Sequence, residues 1–125
     1  MKTKKEIKKE MKNLMKKINN SSLNRFIISY YLSLKFEEID DSKDAVKYKI
    51  NFHNRLIKDL KKELKTSKNN QKDFKNIKDY IGELEYSNDT SIEIIKLLDA
   101  RKSYFKLKNQ LKNQPKKFKN KIKKY

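Results

Sequence analysis

The choice between an all-helical and a mixed fold rests on residues 23–39, which read LNRFIISYYLSLKFEEI. Two apolar series with helical spacing run through this stretch, and a helix that carried both would form the buried centre of a bundle. Apolar residues also recur at every second position from Phe26 to Phe36 and again from Val46 to Phe52. A hairpin over about 26–53, pairing 26–36 with 45–53, is therefore an alternative that would give an α+β fold.

Strand length and turn chemistry favour the helical interpretation. Strands of that length would exceed the usual size of about five or six residues. The connection between them, residues 37–44, contains neither glycine nor proline, and the whole chain has one of each, Gly82 and Pro115. Hairpin turns depend on such residues, so we predict an all-α fold, a five-helix bundle with a basic C-terminal extension.

Capping residues and apolar periodicity set the expected helix boundaries. Thr3 and Glu6 have the spacing of a capping box, and Asp41 or Ser42 is expected to begin the third helix. A polar loop is expected at residues 87–90, and Pro115 is expected to end the fifth helix. The predicted helices span about residues 3–18, 23–39, 42–65, 72–86 and 90–114. We accordingly predict a helical domain over residues 1–112 and a basic C-terminal tail over residues 113–125.

The positive charge is concentrated at the two ends of the sequence. Lysine and arginine number 34 against 16 acidic residues, a formal net charge of +18. Residues 1–20 contribute +6 and residues 101–125 contribute +11, whereas residues 21–100 are nearly balanced. AT-rich codon usage explains why lysine outnumbers arginine, but it does not explain the absence of acidic residues after Asp99. This distribution predicts that the chain binds a polyanion.

Lysine ammonium groups are point charges suited to phosphate backbones. Aromatic residues among the C-terminal lysines offer stacking surfaces for unpaired bases, although Tyr104 and Phe105 are expected to pack in the core. The first helix also carries Lys9, Lys16 and Lys17. The candidate phosphate-binding residues are Lys4, Lys5, Lys8, Lys12, Arg101, Lys102, Lys106, Lys108, Lys112, Lys116, Lys117, Lys119, Lys121, Lys123 and Lys124.

These features predict a small nucleic-acid-binding accessory or regulatory protein that contacts the backbone of DNA or structured RNA with little sequence specificity. One alternative is a protein-interaction module of a mobile element, such as an immunity or anti-defence factor. Another is a helical protein that lies on an anionic membrane. A helix-turn-helix over residues 72–107 fits less well, because the connection from Tyr86 to Ser91 is longer than the usual turn.

Catalytic and metal-binding signatures are missing from the sequence, so we expect neither an enzyme nor a bound cofactor. The chain has no cysteine, and its one histidine, His53, is expected to be a packed residue. The acidic cluster Glu37, Glu38, Asp40, Asp41 and Asp44 lacks the spacing of a calcium loop and is expected to form a solvated turn. With no long apolar segment and no signal-peptide core, a cytoplasmic protein is expected.

Overall fold

The computed structural model describes residues 2–123, and it describes the side chains of residues 2–113. Within that range the chain forms helices and no strands, so the all-α prediction is confirmed and the hairpin alternative is wrong. The described part contains four helices rather than the five predicted. They are α1 (Lys4–Asn19), α2 (Arg25–Leu32), α3 (Phe36–Thr66) and α4 (Gln71–Lys123).

The count differs because α4 continues through the polar run at residues 87–90, where a loop was expected. Asn88 and Ser91 are only 8% and 2% exposed, so these polar side chains lie on the packed face of a helix. Continuity of α4 also excludes the helix-turn-helix alternative over residues 72–107, which the sequence already disfavours. The prediction that Pro115 ends this helix is also wrong, because α4 continues to Lys123.

A short break over residues 33–35 divides the predicted second helix into α2 and the start of α3. The Ser33 N–H donates to the carbonyl of Ser29 at 3.1 Å and closes α2. The Lys35 N–H donates to Oε1 of Glu38 at 2.9 Å, which caps the first turn of α3. The predicted start at Asp41 or Ser42 is therefore wrong. The acidic cluster lies in the first turns of α3 rather than in a turn between helices. Glu37 and Glu38 occupy the first turn, where the helix dipole favours negative charge.

The chain divides into two compact units. Unit 1 comprises Met1–Ile39 and Lys96–Tyr125, and unit 2 comprises Asp40–Ile95. Unit 1 thus contains α1, α2, the start of α3 and the C-terminal part of α4. Its buried apolar residues are Ile7, Ile18, Leu23, Ile28, Ile39, Leu97, Leu98 and Leu107. The boundary between a helical domain and a tail at residue 113 stays a prediction.

Unit 2 is an antiparallel pair formed by the remainder of α3 and the N-terminal part of α4. Residues 67–70 connect the two helices, as the polar composition of residues 66–71 predicts. Asn70 caps α4, since its Oδ1 accepts the Asp73 N–H at 3.3 Å. Ile57 packs with Ile81 and Leu84 in the core of the pair. Partly buried residues extend this cluster along both helices: Leu56, Leu60, Leu64 and Ile77.

Candidate nucleic-acid interface

The sequence of α1 dictates which of its side chains face outward. Thr3 caps the helix as predicted, because its Oγ1 accepts the Glu6 N–H at 3.2 Å. Ile7 and Ile18 are each 1% exposed, and Leu14 and Met15 between them are half-buried. One face of α1 is therefore held in the core of unit 1, and the residues on the opposite face lie in solvent.

That opposite face carries a row of lysines, which we call the lysine ridge: Lys5, Lys8, Lys9, Lys12 and Lys16. Their spacing of three and four residues places them on one side of the helix, and all five are exposed. The ridge extends over about 16 Å, since each helical residue rises about 1.5 Å. Helical spacing relative to Ile7 and Ile18 is the signal that adds Lys9 and Lys16 to the predicted set.

The acidic residues of α1 are not part of the ridge. Glu6 and Glu10 occupy the flank of the helix, and Lys2 Nζ forms an ion pair with Glu10 Oε2 at 2.7 Å. Lys4 is exposed in the first turn, beside the ridge rather than within it. Glu6 precedes Lys9 by three residues and therefore borders the ridge, whereas Glu10 lies about 100° around the helix from Lys9.

Arg101 lies half-buried in an aromatic cluster of unit 1. Its guanidinium carbon is 4.3 Å from the ring centroid of Phe105 and 5.6 Å from that of Tyr104. Phe105 in turn meets Phe36 edge to face, with ring centroids 5.8 Å apart. Tyr104 and Phe105 are half-buried, as a packing role predicts. Arg101 thus contributes packing and cation–π attraction to the core.

The remaining C-terminal candidates with described side chains do not share one face of α4. Lys106, Lys108 and Lys112 are exposed, whereas Lys102 is half-buried and interacts with a neighbour. Lys106 follows Lys102 by one helical turn and lies on the same side. Lys108 lies about 160° around the helix from Lys106, since successive residues are about 100° apart. Lys108 and Lys112 are also one turn apart, so these four lysines lie within an arc of about 160°, or about half of the helix circumference.

Six predicted contacts lie outside the residues whose side chains are described: Lys116, Lys117, Lys119, Lys121, Lys123 and Lys124.

The division into units assigns both cationic ends of the sequence to unit 1. Unit 1 contains 22 lysines and arginines against five acidic residues, a net charge of +17. Unit 2 contains 12 against 11, a net charge of +1. Almost all of the net charge of the chain therefore belongs to one compact unit, which includes both α1 and the C-terminal part of α4.

Unit 2 contains the one histidine, in a polar cluster between α3 and α4. His53 Nδ1 lies 3.2 Å from Asn88 Oδ1, and Asn88 Nδ2 donates to Asn54 Oδ1 at 2.9 Å. Because the Asn88 amide nitrogen donates to Asn54, its oxygen faces Nδ1 of His53. The packed histidine is confirmed.

Neither a metal site nor a membrane span is found where the structure is described. No group of three or more histidine, cysteine or acidic side chains is placed to hold a metal ion among residues with described positions. No helix in the same part of the chain is both long and apolar enough to cross a bilayer. Comparison with known proteins gives no match to a family model, a curated protein or a solved structure.

Proposed function

We propose that this protein binds nucleic acid through unit 1, contacting the phosphate backbone with little sequence specificity, and acts as an accessory or regulatory protein. The observation that carries the proposal is the net charge of unit 1, which is +17 over its whole sequence and +11 over its residues with described side chains, beside +1 in unit 2. A charge that only kept the protein in solution would not need to be confined to one unit. Such a concentration is the electrostatic footprint of a polyanion-binding surface.

The lysine ridge supplies the most regular part of this surface. Its length of about 16 Å matches about five nucleotides along one strand of B-form DNA, at about 3.4 Å per nucleotide. Each phosphate neutralised by an ammonium group releases condensed counterions, and this release drives binding at low salt. Lysine lacks the bidentate geometry with which arginine and amide side chains recognise base edges, so the expected binding tolerates sequence changes.

The salt dependence of affinity tests this proposal directly. The full chain is titrated against duplex and single-stranded oligonucleotides at several salt concentrations. Contact with about six phosphates predicts that log K falls with log salt at a slope near −5 for duplex DNA. A flat salt dependence would contradict the proposal, because it would mean that phosphate neutralisation does not drive binding.

Exposed aromatic residues in unit 2 favour a second candidate function, a contact with a protein partner. Tyr48, Phe52 and Tyr86 are 68%, 51% and 76% exposed, and unit 2 is almost neutral. Aromatic side chains are enriched in protein interfaces, whereas charge is depleted at their centres. Such a partner would bind with a shallow salt dependence, which distinguishes this candidate from nucleic-acid binding.

A further inference from the structure

The outward face of α2 carries two aromatic side chains in solvent. Phe26 is 85% exposed and Tyr30 is 63% exposed. They lie one helical turn apart, and we call them the aromatic pair. Ile28, on the opposite face, is 7% exposed and anchors the helix in unit 1. The pair is therefore presented to solvent because the other face of this eight-residue helix is used for packing.

Local contacts hold the helix and one of these rings in place. Asn24 Oδ1 accepts the Phe26 N–H at 2.7 Å and caps α2, and Ser33 Oγ donates to the Tyr30 carbonyl at 2.6 Å. The Tyr30 ring meets the half-buried Tyr31 edge to face, with centroids 5.0 Å apart and planes at 88°. The Tyr30 ring thus has a fixed neighbour before any ligand arrives, which lowers the ordering cost of binding.

The charged residues nearby in the sequence distinguish the aromatic pair from the exposed Tyr86 of unit 2. Residues 11–36 contain no acidic side chain and include Lys12, Lys16, Lys17, Arg25 and Lys35. By contrast, the exposed Tyr86 lies among Asp79, Glu83, Glu85 and Asp89 in the sequence of α4. The aromatic pair therefore combines accessible rings with a stretch of chain that attracts phosphate and contains nothing to repel it.

We propose that the aromatic pair stacks on unpaired bases, so that the ligand of unit 1 is nucleic acid with single-stranded segments. This inference rests on the proposed function and specifies its substrate class. Proteins that bind single strands without sequence preference combine cationic surfaces with aromatic side chains on which bases stack. Bases within a duplex are already stacked on one another, so the aromatic pair adds affinity for unpaired nucleotides only.

A tryptophan introduced by Phe26→Trp reports on stacking. The chain contains no tryptophan, so this substitution introduces a single tryptophan at an 85% exposed position, and its emission is excited selectively at wavelengths that tyrosine does not absorb. We expect single-stranded DNA and RNA oligonucleotides to quench its emission, and duplexes bound under the same conditions to leave it unchanged. Tyr48→Trp in unit 2, at a position that is 68% exposed, is the matched control and should not respond to either ligand.

Alanine substitutions measure what the pair contributes to affinity. Phe26→Ala with Tyr30→Ala is expected to weaken binding of single strands by between about fivefold and about 150-fold, the effect of losing one stacked base. Affinity for duplex DNA should remain within about twofold. The matched control is Tyr48→Ala with Phe52→Ala, which removes an exposed tyrosine and phenylalanine of the same spacing from unit 2. Circular dichroism checks that both variants keep their helical content.

Four results would overturn the inference. The first is unchanged affinity for single strands in the variant with Phe26→Ala and Tyr30→Ala. If binding still depended on salt, only the stacking inference would fail and the proposed function would remain. A blue shift of the Phe26→Trp emission on anionic vesicles, without quenching by oligonucleotides, would assign the pair to a membrane surface. A change of oligomeric state in sedimentation, with unchanged nucleic-acid affinity, would assign it to contacts between copies. Failure of the full chain to bind any nucleic acid would remove both proposals.

Discussion

At the scale of single residues, the polar cluster in unit 2 is the feature that sequence patterns describe least well. Asn88 looks like part of a loop because it belongs to the run SNDT at residues 87–90. In the structure Asn88 is instead only 8% exposed, and it forms hydrogen bonds with His53 and Asn54 across the helix pair. Those partners lie 35 and 34 residues away in the sequence, so local propensity carries no information about them.

Replacing Asn88 by alanine tests the cluster. Asn88→Ala leaves His53 and Asn54 without these hydrogen bonds, and we expect the free energy of unfolding to fall by about 1–3 kcal/mol. Urea denaturation measures the change. Asn51→Ala, at an exposed position of α3, is the control and should be neutral or slightly stabilising because alanine favours helix. Equal stability of the two variants would mean that the cluster contributes nothing.

Tyr31 gives unit 1 a pH dependence. Burial raises the pKa of the Tyr31 phenol, and the neighbouring Tyr30 raises it further. The unfolded chain, with a tyrosine pKa of about 10, therefore loses this proton before the folded chain does. Tyr31 therefore makes its full contribution to the free energy of unfolding below about pH 10. That contribution is lost as pH rises from about 10 through the higher pKa of the folded state.

The Tyr31→Phe variant cannot ionise at this position. Its stability relative to the wild-type protein is expected to increase as pH rises through about 10, because ionisation of Tyr31 destabilises only the wild type. Titration of the lysines occurs in both proteins and cancels in the difference. Urea denaturation at each pH gives the two stability curves, and parallel curves would contradict the assignment.

At the scale of elements, the sequence predicts the helical class, the cap of α1 and the connector between α3 and α4. Two boundaries depend on information that apolar periodicity does not contain. The break at residues 33–35 forms because the Glu38 carboxylate caps the Lys35 N–H, which permits α3 to begin earlier than Asp41. The continuity of α4 depends on packing of Asn88 and Ser91, which tertiary structure supplies.

Gly82 also departs from its local preference, because a lone glycine favours a turn but lies here within α4. Nothing lies within 4 Å of a Cβ placed at this position. We expect Gly82→Ala to raise the free energy of unfolding by about 0.5–1 kcal/mol, since alanine loses less backbone entropy in a helix. Urea denaturation measures the gain. Glu85→Ala is the control and should change stability by less than about 0.5 kcal/mol.

A loss of stability in Gly82→Ala would contradict the open position of Gly82 and would indicate a close approach to this face of α4.

At the scale of the whole molecule, the sequence shows that charge lies at both ends of the chain but not that the ends belong to one unit. That association depends on topology, because α4 returns to the part of the fold that contains α1 and α2. Helical periodicity predicts the lysine ridge, since Ile7 and Ile18 identify the buried face. It also places Arg101 beside Phe105, four residues further along α4, but it does not predict that Phe36 packs against the Phe105 ring. Nor does periodicity show that the aromatic pair is exposed. Residues 23–39 contain two apolar series with helical spacing, and the sequence alone does not say which series is buried.

Our central claim concerns the placement of charge rather than its amount. Two variants, each with five lysine-to-glutamine substitutions, distinguish the effect of where the charge lies from the effect of how much charge there is. One removes the lysine ridge of unit 1, and the other removes five exposed lysines of unit 2: Lys58, Lys61, Lys62, Lys65 and Lys68. Both lower the formal net charge from +18 by five, and glutamine keeps a helix propensity close to that of lysine.

The deciding measurement is the salt slope of single-strand binding for these two variants and the wild-type protein. We predict that the ridge variant binds about tenfold or more weakly at low salt, and that its slope is shallower by about 0.7 for each phosphate that is no longer neutralised. The unit 2 variant should keep the wild-type slope. Equal weakening in both variants, or unchanged affinity in the ridge variant, would contradict binding through unit 1.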